Sequence, residues 1–362
     1  MFENIKPFYR IAAAAALLLF IATLLMIFFY GIEKTGPTLI LFFLALGISF
    51  QGFESLKGFS YSIMIFGVVT MALYFPEPFT QIGNFKLITL ITPLIQVIMF
   101  GMGTSMNTKD FVSVAKEPKA VAIGVAAQFI IMPMLGFLLA RASGFAPEIA
   151  AGIILIGCSP SGLASNVMNY LAKANLALSI TITSITTLLA PFVTPLLMKF
   201  LAGTFIEIDL YKMMWDIFKM IMIPIGAGLI FNKLFHGKFK WLDTAMPYVS
   251  MLGIAGVITF VTAAGRESLL DIGFALIGLV LIHNTFGYLL GYWSARLLRM
   301  NERDCRTVAI EVGMQNGGLA SGIAKEMGKI ATVGLAPAVF GPLMNITGSI
   351  LASYWHRRPP KE

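Results

Sequence analysis

Long apolar runs alternate along this chain with short polar stretches, and the runs have the length of membrane helices. A hydrocarbon core of ~30 Å takes about 20 residues of helix at 1.5 Å each. Ile11–Tyr30 is a run of twenty residues without a charge. Comparable runs follow at Pro37–Phe53, Ser60–Phe75, Leu87–Met106, Ala120–Ala140 and Ile149–Leu171. The second half adds Leu176–Met198, Met213–Phe231, Tyr248–Ala264, Ile272–Ala295, Thr307–Ala324 and Val333–Trp355. None shows the two-residue alternation of a membrane barrel strand. The pattern predicts an all-α polytopic membrane protein of about twelve transmembrane segments.

Composition agrees. Of 362 residues, 57% are hydrophobic and 12% charged, against roughly 25% charged in a soluble domain. Too few charges remain to cover a soluble surface. A net charge of +8 would suggest nucleic acid in a soluble chain, but here the cations are placed first against the bilayer. With the N-terminus inside and the segments alternating, the outer side holds Lys34, Lys86, Arg141, Lys199, Lys212, Lys219, Arg266, Lys325 and Lys329. Those are 9 of the 26 Lys and Arg, and the other 17 fall on the inner side. Both termini are therefore expected in the cytoplasm, with no nucleic-acid partner. Lys6 and Arg10 before the first run resemble the start of a signal peptide. That run is too long, however, and no small-residue cleavage site follows Phe28-Phe29-Tyr30, so it is read as a span. Cys158 and Cys305 have no metal-ligand spacing.

A repeat emerges at an offset of 156 positions, which carries Gly162–Ser165 onto Gly318–Ser321 as the same word, Gly-Leu-Ala-Ser. The same offset carries Gln128 onto Asn284, and Leu189-Ala190-Pro191 with Pro195 is echoed by Leu335-Ala336-Pro337 with Pro342. The copies lie an odd number of spans apart and would sit in opposite orientations, the inverted-repeat plan of many secondary transporters. Ordinary small-residue composition of membrane helices is the alternative source of such matches.

Two segments place helix breakers and polar groups at membrane depth: Cys158–Asn166, with Pro160 and Gly162, and Glu311–Gly318. Proline removes a helical donor and glycine weakens the helix. Unwound backbone survives there only where protein or a wet cavity surrounds it. Such breaks free carbonyls for cations and expose half-helix N-termini to anions. Glu311 is the one carboxylate placed deep in a span, where a charge costs at least ~2.5 kcal/mol. Arg306 is about a turn and a half away, towards the cytoplasmic end. A bound cation with oxygen ligands would offset the cost; a protonated Glu311 bonded to a neighbouring helix is the alternative. Ser179 and Thr183 share a helix face at i, i+4, a spacing that also suits bonds back to their own helix. His283, beside Asn284, is expected to be a satisfied interior histidine, with a proton relay as the alternative, and Asp216 with Lys219 a structural ion pair. The 21 methionines are expected to serve packing.

In these motifs the chain resembles the bile acid:sodium symporter family. The resemblance rests on Gly101-Met102-Gly103, Ser161–Asn166, the Glu311–Gly318 motif and Asn345-Ile346-Thr347-Gly348-Ser349, and covers about residues 59–357. It implies a ten-helix fold with a core group and a panel group, and two broken helices that cross. Residues 1–57 would add an extra N-terminal hairpin, for packing or oligomerisation, to a transporter core at 58–357. The repeats would cover about 59–201 and 211–357. By position, the resemblance implies a first sodium site of Ser165, Asn166, Ser179, Thr183 and Glu311. It implies a second of Gln128, Gln315, a Glu311 oxygen and the carbonyls of Val312 and Met314. Substrate would lie near Asn316, Gly317 and Asn345. Leu163 stands where some bacterial relatives offer a threonine hydroxyl, and Met344 where a histidine can occur, so the pocket is more apolar.

The function so implied is sodium-coupled uptake of an organic anion, a steroid acid or small carboxylate, by alternating access with two Na⁺ per cycle. The setting would be the bacterial cytoplasmic membrane, with the protein a monomer or weak oligomer. A proton-coupled carrier with Glu311 titrating is the alternative. A cation/proton antiporter would want a second intramembrane acid. An enzyme built on Cys158 or Ser161 with His283 lacks any hydrolase motif and an acid to orient the histidine.

Overall fold

The computed structural model describes residues 6–53, 56–106, 118–235, 240–358 and 360. Among these, nine helices are long and apolar enough to cross a membrane. The two-residue strands Gln81–Ile82 and Phe85–Lys86 form the one small hairpin described. Of the lysines assigned above to the inner side, Lys109, Lys116, Lys238 and Lys361 lie outside the described residues.

The first helix, α1 (Pro7–Tyr30), begins with proline in its first turn and stops at Gly31, whose φ of 77° is left-handed. Proline suits the first turn because its missing donor would be unpaired there anyway. Next, α2 (Gly36–Phe50) lies against α3 (Lys57–Tyr74). A methyl on Gly36 would meet the Tyr74 ring at 2.4 Å, and one on Gly47 would meet Met64 at 2.7 Å. Small residues let membrane helices approach this closely. The lipid-directed side of α1 is lined by Leu17, Leu18, Leu24 and Phe28, all exposed.

A first group of helices joins α3 to α4 (Ile91–Ser105), α9 (Leu210–Phe235) and α10 (Lys240–Ala264). Gly101-Met102-Gly103 forms no break; it lies inside α4 as a packing notch. A Cβ on Gly103 would stand 2.3 Å from the Ile225 carbonyl, and one on Gly228 would stand 2.4 Å from the Phe100 carbonyl. The two helices thus meet through reciprocal glycines.

The second group holds α5 (Pro118–Ser143), α8 (Leu176–Leu201), α11 (Arg266–Leu297) and α14 (Leu335–His356). These surround two interrupted spans. One is α6 (Pro147–Cys158) with α7 (Ala164–Leu171); the other is α12 (Glu302–Gly313) with α13 (Gly317–Glu326). Ile149 to Cys158 and Asp304 to Gly313 are buried throughout, and only such enclosure permits frayed main chain at this depth. The twelve expected segments are therefore all present as helix, two of them split. Boundaries shift: α10 starts at Lys240, ahead of the expected Tyr248, and α11 at Arg266, ahead of Ile272.

Contacts between helix ends agree with strict alternation. On one side Arg266 donates to the Leu73 carbonyl, Thr92 to Glu326, and both Lys329 and Thr332 to Glu148. On the other side His356 meets the Leu171 carbonyl and Asn175 binds Asp304 and Thr307. Asp216 pairs with Lys219 at 2.9 Å, as its spacing suggested, and with Lys212 at 3.5 Å.

Candidate functional site at the helix crossing

The two interrupted spans touch where they unwind. Gly162 N donates to the Met314 carbonyl and Asn316 N to the Pro160 carbonyl, both at 2.9 Å, so Ser161 and Gln315 pair as an isolated antiparallel bridge. Main-chain groups freed by Pro160 and by Gly162 and Gly317 are thus satisfied across the crossing, as buried amides require. The C-terminal ends of α6 and α12 and the N-terminal ends of α7 and α13 all converge here. Helix C-termini carry partial negative charge and N-termini partial positive charge.

Glu311, in the last turn of α12, is fully buried. Its Oε1 accepts from Ser165 Oγ at 2.6 Å, Ser179 Oγ at 2.6 Å and Asn169 Nδ2 at 3.2 Å; its Oε2 accepts from Thr183 Oγ1 at 2.7 Å. Among the described residues no basic side chain takes part. Arg306 turns away to Glu302 at 2.8 Å and stacks on the Trp355 ring. Ser179 Oγ also lies 2.7 Å from Asn166 Oδ1. Each hydroxyl has one proton, so Ser165, Ser179 and Thr183 supply three protons to four oxygen–oxygen contacts of 2.6–2.7 Å. One of those contacts is left without a proton.

The five residues expected at the first site therefore come together, with Asn166 bound to Ser179 and not to Glu311. Sequence reasoning missed Asn169. It follows Ser165 by four positions on α7, the same one-turn spacing that marks Ser179 and Thr183, and that periodicity was the available signal.

Beside this cluster, Gln128 Nε2 donates to Gln315 Oε1 at 2.8 Å and to the Ser159 carbonyl at 2.9 Å. Gln315 Nε2 donates to the Val312 carbonyl at 2.6 Å and to Gln128 Oε1 at 3.3 Å. Met314 offers its carbonyl to Gly162. Gln128, Gln315, Val312 and Met314 are fully buried, so the second expected set is also assembled. The Glu311 carboxylate bonds to the first cluster, and its main-chain oxygen accepts from Ser161 Oγ at 3.1 Å.

Leu163, Asn316 and Asn345 are partly exposed, whereas Gly317 is buried, with the Pro337 carbonyl 3.0 Å from where its Cβ would be. Asn316 caps α13 by accepting from Leu319 N at 3.0 Å. Gly348 lies against Met314 and Gly317 against Pro337, so the stretch of α14 that carries Asn345 flanks the crossing. His283 binds the Met132 carbonyl at 3.0 Å and sets its ring against Phe340, which answers its proposed interior role on one nitrogen. Cys158 is buried and Ser161 is bonded to Glu311, so neither has the histidine as partner.

Residues 92–272 match the family described as the Sodium Bile acid symporter family. An "Uncharacterized sodium-dependent transporter YocS" of Bacillus subtilis is 39% identical over 306 residues, 84% of this chain and 93% of that one. The chain belongs to the sodium bile acid symporter family. A second relative, "Probable sodium/metabolite cotransporter BASS1, chloroplastic" of Arabidopsis thaliana, is 30% identical over 268 residues, 74% of this chain and 67% of its own. The sodium proton antiporter MjNhaP1 from Methanocaldococcus jannaschii superposes with a TM-score of 0.51 at 12% identity, covering 96% of this chain and 98% of its own. That likeness is one of fold. As a symporter-family member the chain is an integral membrane transporter and not an enzyme. The family match ends before Glu311.

Gln128→Leu keeps bulk but leaves Gln315 Oε1 and the Ser159 carbonyl without a donor, a loss of about 1–3 kcal/mol for each buried group. Melting of the purified protein should show that loss in any alkali salt.

Proposed function

We propose that this transporter couples inward movement of Na⁺ to uptake of an organic anion. The carrying observation is the proton deficit around Glu311. A carboxylate with no basic partner, enclosed by oxygens that outnumber their protons, is relieved by a hard cation that takes oxygen ligands. Two ions are inferred, one among Ser165, Asn166, Ser179, Thr183 and Glu311, the other near Gln128, Gln315, Val312 and Met314. The relatives named for sodium dependence support this reading.

Substrate is placed beside the crossing, near Leu163, Asn316, Gly317 and Asn345. Two half-helix N-termini meet there and favour negative charge, while Leu163 and Met344 suit an apolar body. Ion binding would order the broken segments and lower the ordering cost left to the anion, which is coupling in the thermodynamic sense. With two Na⁺ per monoanion, a tenfold gradient and ~100 mV inside negative leave about 5 kcal/mol, enough for roughly several thousand-fold accumulation. One Na⁺ per monoanion would be electroneutral and reach about tenfold.

Residues 58–357 are read as inverted repeats on which rocking gives alternating access. Gln128 holds the Ser159 carbonyl at one break and Asn284 holds the Gly313 carbonyl at the other, at 2.9 and 2.8 Å. Amides matched by the 156-position offset thus do the same work in each half. Both termini are assigned to the cytoplasm of a bacterial inner membrane.

The test is thermal unfolding in detergent across NaCl, with KCl holding ionic strength. A ligand at 100 times its Kd adds about 2.7 kcal/mol, so a Na⁺-specific rise in melting temperature is expected, larger still with the right member of a panel of small carboxylates and steroid acids. Equal responses to K⁺ and Na⁺, or uptake into vesicles that follows a pH gradient without Na⁺, would replace this reading with the proton-coupled one.

A further inference from the structure

Asn169 lies on α7, fully buried, one turn beyond Ser165. Its Nδ2 donates to Ser179 Oγ at 2.9 Å and to Glu311 Oε1 at 3.2 Å, while its Oδ1 is buried with no donor among the described residues. A side-chain amide carries two donors on one end and an acceptor on the other, and a buried acceptor left unmet is costly. The pose is thus favourable at one end only.

We propose that Asn169 is a sodium-responsive ligand of the Glu311 cluster. Without the ion, Nδ2 caps the carboxylate. With it, the amide turns by half a rotation and presents Oδ1 to the cation.

The two ends of the amide are nearly the same size, so the turn needs no displacement of α7. It brings Oδ1 to the place Nδ2 now holds, beside Ser179 Oγ and Glu311 Oε1. An oxygen beside a carboxylate is repelled unless a cation lies between them, and an NH₂ beside a cation is repelled in turn. The charge at the site therefore selects the pose. The bound ion gains a neutral oxygen ligand from a residue that otherwise opposes it. Ser165, Ser179 and Thr183 each donate their one proton to Glu311, whereas the Asn169 amide can present either a donor or an acceptor end.

This inference rests on the sodium-coupled reading, and the experiment separates the two. The NaCl midpoint of the thermal shift is measured on the purified full chain at pH 8 in KCl-balanced salt, for the unsubstituted protein, Asn169→Ala and Asn169→Asp. The expected result is a midpoint raised at least about tenfold in Asn169→Ala, the scale on which partners of a metal site act. Asn169→Asp, which keeps an oxygen, should stay within about threefold of the unsubstituted protein or below it. A residue that only caps the empty carboxylate would give Asn169→Ala an unchanged or lowered midpoint. A residue that only props the fold would raise the midpoint in both variants. Either pattern overturns the proposal. Asn169→Leu, matched in size and without oxygen, carries the same expectation where the alanine variant is not recovered. If the unsubstituted protein itself shows no Na⁺-specific shift, the coupled reading falls with it; if it does and Asn169→Ala matches it, this proposal alone fails.

Discussion

Glu311→Gln should abolish the sodium response while leaving the ion-free protein at least as stable as before. Glutamine keeps the shape and one oxygen of Glu311 but carries no charge. In the sodium-free state the carboxylate is buried with no basic partner, a situation that costs several kcal/mol per ion even after relaxation. Removing the charge removes that cost, and the hydroxyls of Ser165, Ser179 and Thr183 can still bond to the amide. With Na⁺ present the sign reverses, because the ion loses its one anionic ligand. The ~2.7 kcal/mol of linkage expected at 100 times Kd should vanish. Uptake should fall by more than about 100-fold, since loss of mere supporting partners already costs 10–100-fold. Melting in NaCl and in KCl checks both halves. If Glu311 served only to bind its neighbours, the variant would melt lower in both salts, through loss of charged hydrogen bonds of about 1.5–3 kcal/mol each. Equal loss in both salts would remove Glu311 from the ion site.

Much of this was legible in the sequence because lipid imposes simple rules. A span of about 20 residues must be apolar, and its main chain must bond within itself. That made the twelve segments countable, and it made Pro160, Gly162 and Glu311 conspicuous as exceptions. Their meeting was less accessible. Nothing in the spacing of Ser161 and Gln315 tells that these two residues pair, since the contact arises from how α6 and α12 pack among α5, α8, α11 and α14. Asn169 escaped for a related reason. On a helical wheel it is one polar residue among several on α7, and only the arrival of Glu311 from another span singles it out. Gly101-Met102-Gly103 shows the converse case. Its two glycines lie in an unbroken helix, where Gly103 admits the Ile225 carbonyl. Glycine alone does not separate a notch from a break; the neighbouring proline and buried polar groups do.

Gly162→Ala should cost transport out of proportion to its size. The new methyl would stand 2.7 Å from the Gln315 carbonyl oxygen and 3.1 Å from its carbon. Both are main chain, so no side chain can swing aside. The strand-like bridge at the crossing must open, lengthening the paired bonds from Gly162 N to Met314 and from Asn316 N to Pro160. Overpacking of this kind costs about 1–3 kcal/mol of stability. The functional penalty is larger, because the crossing sets Ser165 and Asn166 on α7 against Glu311 on α12. Ligand distances in a metal site tolerate only about 0.2 Å of error. The NaCl midpoint of the thermal shift should therefore rise at least about tenfold, and sodium-driven uptake should approach background. Gly226→Ala is the matched control, since nothing lies within 4 Å of its added methyl. It should stabilise the helix by about 0.5–1 kcal/mol at most and leave the midpoint alone. A Gly162→Ala protein that folds and keeps the unsubstituted midpoint would mean that the ions do not sit between the two broken helices, however close their side chains lie.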